Sequence, residues 1–137
     1  MSRSSRRRFI STAGKVTAAT AIGSVAATAA FAAAPAAGFI HHVYFWLKNP
    51  ESTEDKAKLV EGLRKLAAVK SIRQSHIGQP ADTKRDVIDS SYAVSWLLFF
   101  KSKEEEESYQ NDPIHVNFVQ SCSPLWSKVV VYDSVTI

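Results

Sequence analysis

The sequence predicts an α+β domain with elements in the order β-α-β-β-α-β, preceded by a leader. Three observations predict it. Two stretches, residues 39–47 and 92–100, are apolar on both alternating faces, the pattern of strands covered on two sides. Leu59, Val60, Leu63, Leu66 and Ala67 recur at helical spacing. Two Ser-x-x-acid boxes, Ser52 with Asp55 and Ser102 with Glu105, mark helix starts.

The first element is FIHHVYFWL, residues 39–47. As a strand it puts Phe39, His41, Val43, Phe45 and Leu47 on one face, and Ile40, His42, Tyr44 and Trp46 on the other. It ends near Pro50, and the helix capped by Ser52 follows. That helix sets its apolar stripe opposite Lys56, Lys58, Glu61, Arg64 and Lys65, as an amphipathic cover does. Residues 71–78 (SIRQSHIG) form the most polar strand, expected to be partly exposed. A long connection, residues 79–91, holds Arg85, Asp86 and Asp89, either as surface charges or as a lid. Residues 92–100 are the third strand. Glu104 to Glu107 then read as a solvated first turn of a helix favoured by its dipole. Asp112 caps a second short helix with Pro113 at its first position. That helix carries His115, Phe118, Val119 and Cys122 on one stripe, with Cys122 a small core residue. Residues 127–135 close the sheet.

This order is the ferredoxin-like arrangement, an antiparallel sheet with its helices on one face. The other face is also apolar on three strands. Left wet, it would exceed the patch that monomers tolerate. A second copy packed sheet to sheet removes the problem, so a homodimer through the sheet face is expected.

The net charge of +4 over 137 residues belongs to the leader. Residues 1–36 hold five of the seventeen basic residues and no acid, leaving twelve basic against thirteen acidic residues beyond them. A nucleic-acid partner is therefore not expected, since it needs basic residues clustered on the folded domain. A basic start and an uncharged Ala/Thr/Gly/Ser stretch give residues 1–36 the layout of an export signal. SRRRFIS, with Arg6, Arg7, Phe9 and Ile10, resembles the twin-arginine signal, which implies export of a folded protein to the periplasm or beyond. Cleavage is expected after Ala36, leaving residues 37–137 as one domain. The stretch is too poor in Leu and Ile to favour a lasting membrane anchor. Cys122 is the single cysteine, so the domain forms no intrachain disulfide.

HHVYFWLKN, HIGQP, SYAVSWLLFFKS, SYQNDPIHVNF and LWSKVVVYDSV, in this order, resemble the stress-responsive dimeric α/β-barrel family, Dabb. The resemblance covers nearly all of residues 39–135. It implies ferredoxin-like subunits whose two sheets close into a dimeric α+β barrel. One plant member closes a linear polyketide by a metal-free aldol reaction, in a cleft between helices and sheet lined by histidines and a tyrosine. Carried over by motif, its strand-one histidine falls on His42, its helical tyrosine on Tyr109, and its Pro-x-His base on His115. A further site histidine of that member is Val94 here, and its His-Pro-x-His reads Asp112-Pro113-Ile114-His115.

His42, Tyr109 and His115 make chemical sense as a catalytic set. A histidine near neutral pKa can take an acidic C–H proton while a tyrosine hydroxyl steadies an enolate. The bland alternative is a half-buried His115 bonded to Tyr109 or backbone. His41 points away from His42 and is expected in the dimer layer or at its rim. His76 is expected to be simply exposed. No Cys/His/acid spacing resembles a zinc site, and nothing favours haem, so no metal or cofactor is expected. Three functions remain open: an exported dimer binding a small organic molecule, a cofactor-free cyclase, isomerase or lyase with His115 as base, and a structural or stress-protective dimer.

Overall fold

The computed structural model describes residues 38–137; the export leader expected over residues 1–36 lies outside them. The elements are β1 (Phe39–Leu47), α1 (Thr53–Leu66), β2 (Gln74–Gly78), β3 (Val94–Phe100), α2 (Lys103–Gln110), α3 (Pro113–Cys122), a 3-10 turn (Ser123–Leu125) and β4 (Trp126–Val135). They form one antiparallel sheet in the order β2-β3-β1-β4. This is the ferredoxin-like fold.

The local signals act as their chemistry requires. The Ser52 hydroxyl accepts from the Asp55 amide at 3.1 Å, and Ser102 accepts from Glu105 at 3.4 Å. The Asp112 carboxylate accepts from the Ile114 amide at 2.8 Å, with Pro113 in the first turn of α3. Leu59, Leu63 and Leu66 of α1 are buried; Ala67, expected on the same stripe, is the exposed cap residue. β2 begins three residues later than expected. The Ile72 amide still donates back to Val69, so the chain is leaving the helix turn there.

The register decides which face each residue joins. Val43 lies between Trp96 of β3 and Val131 of β4, and His41 between Leu98 and Asp133. Phe39, Val43, Phe45 and Leu47 join Val94, Trp96, Leu98 and Phe100 under the helices. The other face of β1 is half-buried and has no helix on it. There Tyr44 packs edge-on against Tyr92 and Tyr132, and Lys128 sits 4.3 Å above the Trp46 ring. Among the described residues no helix is long and apolar enough to cross a membrane.

Candidate functional site

A cleft of about 130 Å³ opens between the helices and the β1–β4 side of the sheet. His41, Trp96, Tyr109 and His115 line it, with Phe118, Val129 and Val131 among its apolar walls. β1 supplies His41 through the pleat. α2 supplies Tyr109 near its last turn. The break at Asn111–Asp112 restarts the chain as α3 and brings His115 beside Tyr109, ring centroids 4.5 Å apart.

His115 is fixed by its backbone neighbour. Its Nδ1–H donates to the Gln110 carbonyl at 3.1 Å, because a carbonyl can only accept. Nε2 is then the unprotonated nitrogen of the neutral ring. Burial lowers the pKa of His115, and nearby His41 pushes the same way. The Gln110 bond, Glu106 and Asp112 oppose them in part. Tyr109 is fully buried and its hydroxyl receives the Trp96 indole N–H at 3.4 Å. Burial raises its pKa strongly, so the phenol stays protonated and remains a hydrogen-bond donor.

The structure brings Tyr109 and His115 together and leaves His42 out. His42 lies on the open face of the sheet, stacked on Tyr44 with ring centroids 4.3 Å apart. His41 holds the place in the cleft, only 5% exposed, edge-on to Tyr109 with centroids 5.9 Å apart. The expectation that His41 belongs to a dimer layer is therefore corrected. Alternation was read properly, but the wrong histidine was given to the cleft. Phe39, Val43, Phe45 and Leu47 are the helix-covered set, and His41 shares their parity.

Sequence reasoning also missed two carboxylates. Asp133 on β4, directly across from His41, places Oδ1 2.6 Å from His41 Nδ1. Glu106, read as part of a solvated acidic turn, is buried instead, 3.8 Å from the same nitrogen. Its carboxylate accepts from Gln110 Nε2 at 2.6 Å. Glu106 could have been found from helical spacing, since it lies three residues before the apolar Tyr109. Asp133 required the strand register.

Two of the larger hollows lack such convergence. A groove of about 270 Å³ between α1 and α3 is flanked by Lys58 and Lys65, each paired with a glutamate of its own helix at 2.8 Å. A hollow of about 300 Å³ by Trp46 and Pro80 has Lys56 as its charged group, and that lysine donates to Gln79 at 3.0 Å. Asp89 of the long loop accepts from the Ser91 amide, an ordinary turn contact. Among the described residues no group of three or more His, Cys, Asp or Glu side chains is arranged to hold a metal ion.

A ferredoxin-like sheet with helices on one face defines the class of molecule, and its sequence gives the family. Residues 39–136 match the model of the stress-responsive A/B barrel domain, and the chain belongs to that family, Dabb. No curated protein matches the chain. Among solved structures it is similar to an Arabidopsis thaliana protein, at 24% identity and TM-score 0.62, over 72% of this chain and 95% of that one. A dimeric ferredoxin-like protein of unknown function from Thermobifida fusca shares 16% identity at TM-score 0.59, over 73% and 92%. A hydroxynitrile lyase from Passiflora edulis shares 17% identity at TM-score 0.60, over 72% and 93%. At these identities the likeness concerns the fold.

Proposed function

We propose that this chain is a homodimer that binds a small organic molecule in the cleft formed by His41, Tyr109 and His115. The observation that carries the reading is the His115–Gln110 bond, which leaves a neutral imidazole nitrogen as an acceptor in a mainly apolar hollow. Few polar groups converging in an apolar concavity are what a small-molecule site requires. The volume of about 130 Å³ lies below the roughly 300–1,000 Å³ of drug-sized sites, so the ligand is compact.

The same geometry favours proton transfer as a second reading. His115 takes a proton from an acidic C–H or O–H bond of the bound molecule, and the protonated Tyr109 hydroxyl donates to the oxygen that gains charge. The protonated His115 then returns that proton to the product, while His41, held by Asp133, keeps its ring edge-on to Tyr109. This is cofactor-free lyase, isomerase or cyclase chemistry, and the hydroxynitrile lyase from Passiflora edulis shares the fold. A structural dimer without a ligand is the competing reading.

The homodimer is supported by the uncovered sheet face, where Tyr132 is 64% exposed, and by the dimeric Thermobifida fusca relative. Light scattering is expected to give twice the chain mass. The binding test is a thermal-shift screen with small carbonyl, cyanohydrin and phenolic compounds against wild type and His115→Ala. A compound that stabilises wild type and leaves the variant unmoved supports the reading. Equal stabilisation of both removes His115 from the site. The leader resembling a twin-arginine signal extends the proposal to an exported protein; fractionation of cells expressing wild type and an Arg6→Lys/Arg7→Lys variant tests it.

A further inference from the structure

The open face of the sheet holds a second cluster of titratable groups, apart from the cleft. They are His42 and Tyr44 on β1, His76 on β2, and Lys128 and Tyr132 on β4, with Tyr92 edge-on to Tyr44. His42 shares a 3.1 Å hydrogen bond with the Tyr44 hydroxyl through Nδ1. Its partner on β4 is Tyr132, and its partner on β3 is Leu97, beyond which His76 lies in the same row. The His76 ring leans over Gly78. A methyl group at position 78 would lie 3.3 Å from Nε2 of that ring and 2.7 Å from Ser95 Oγ, so glycine makes room for the ring.

No position of this face in β1, β2, β3 or β4 holds Asp or Glu. The acids of β4 and α2 that approach β1, Asp133 and Glu106, meet His41 on the opposite face. At the rim, Asp89 is bonded to Ser91 and feels Lys128. A proton taken up by His42 thus meets a face whose strand positions offer Lys128, phenols and a second imidazole, and no carboxylate.

We propose that this face makes the dimer acid-labile: two copies associate while His42 is neutral and separate when this ring takes up a proton. The inference rests on the second-copy reading given above. A two-fold axis places the same patch on both subunits, so each copy brings its own His42 and the dimer contains two such rings. Dry packing against the second sheet removes the water that would solvate their charge, and an unpaired charge is costly to bury. The single subunit already leans this way. Burial, then His76, then His41 lower the pKa of His42.

The test is the dimer dissociation constant of the full-length protein, measured by sedimentation over a dilution series at pH 7.5 and 5.5. Each His42 ring that must stay neutral in the dimer raises Kd between pH 7.5 and 5.5 by at most about tenfold, the limit for an imidazole of ordinary pKa near 6.5, and by less because its pKa is lowered in the subunit. Wild type is expected to dissociate severalfold more readily at pH 5.5. His42→Gln/His76→Gln is expected to show a nearly flat Kd. His76→Gln alone replaces an exposed residue of the polar edge strand and keeps His42, so its Kd is expected still to rise at pH 5.5. The cleft histidines His41 and His115 are present in every variant, so acid effects through them are common to all. A dimer with the same Kd at both pH values, or a His42→Gln/His76→Gln variant that follows the wild-type profile, overturns the switch and leaves the dimer standing. A monomer at both pH values at tens of micromolar overturns the second-copy reading itself.

Discussion

Asp133 Oδ1 lies 2.6 Å from His41 Nδ1, joining the edge strand to the central strand through a side chain as well as the backbone ladder. A carboxylate accepts only, so the bridging proton sits on His41 Nδ1 whether the ring is neutral or charged. Asp133 therefore selects the tautomer of the buried histidine and holds its ring against Tyr109.

Asp133→Asn removes that selection while keeping the shape. The neutral variant is expected to lose about 1 kcal/mol, below the roughly 1.5–3 kcal/mol of a hydrogen bond to a charged group because Asp133 is half exposed. Nitrogen chemical shifts of His41 check the cause. They are expected to report a single Nδ1–H tautomer in wild type at pH 8 and a mixture in the variant. An unchanged spectrum would deny Asp133 this role.

The two neighbouring histidines of β1 are expected to part company under mutation. His115→Ala and His41→Ala abolish binding of any cleft ligand, by tenfold or more in Kd. His42→Ala leaves it within about twofold, because His42 lies across the sheet. Calorimetry with a compound from the thermal-shift screen decides the matter, and loss of binding in the His42 variant would reject the site drawn here.

Stability is expected to fall in acid. Free imidazole takes its proton near pH 6.5, whereas burial makes folded His115 take one only at lower pH. Above 6.5 both folded and unfolded rings are neutral and the stability is fully present. As the pH falls from there through the folded value, the unfolded chain binds more protons and stability is lost. His42 adds in the same sense. Melting temperature is expected to be level from pH 7 to 8 and to drop below about 6.5. His115→Gln is expected to flatten the slope.

Gly62 in α1 tests the helix packing. Alanine is the better helix former by about 1 kcal/mol. Here its methyl would lie 2.7 Å from Cys122 Sγ and 3.2 Å from the Phe118 ring. Gly62→Ala is expected to destabilise by about 1–3 kcal/mol through overpacking. Adding Cys122→Ala is expected to recover part of the loss in chemical denaturation. A Gly62→Ala protein more stable than wild type would show that α1 and α3 can move apart freely.

The sequence made the fold legible because each element carries its own local signal. Ser52, Ser102 and Asp112 are caps whose partners lie within three residues, and Leu59, Leu63 and Leu66 repeat at the helical period. Tyr109 and His115 were legible as a pair through the family resemblance of SYQNDPIHVNF. The face of the His41–His42 pair was not, because both faces of β1 are apolar and pattern alone gives them equal standing. Asp133 was hidden for a different reason. Its meaning depends on the pairing of β1 with a strand 92 residues away, which no local pattern encodes.

The nine residues of β1 include no Lys, Arg, Asp, Glu, Pro or Gly. In the folded chain the helices shield one side of that strand. Before the sheet forms, the same segment is an uncharged, aromatic-rich extended run, the composition that seeds aggregation when chains meet unfolded. The two-sided pattern therefore sets a race during synthesis. Helix α1, the next element made, must return over β1 before another chain's copy of that strand reaches it. High expression at elevated temperature is the condition in which this race is lost.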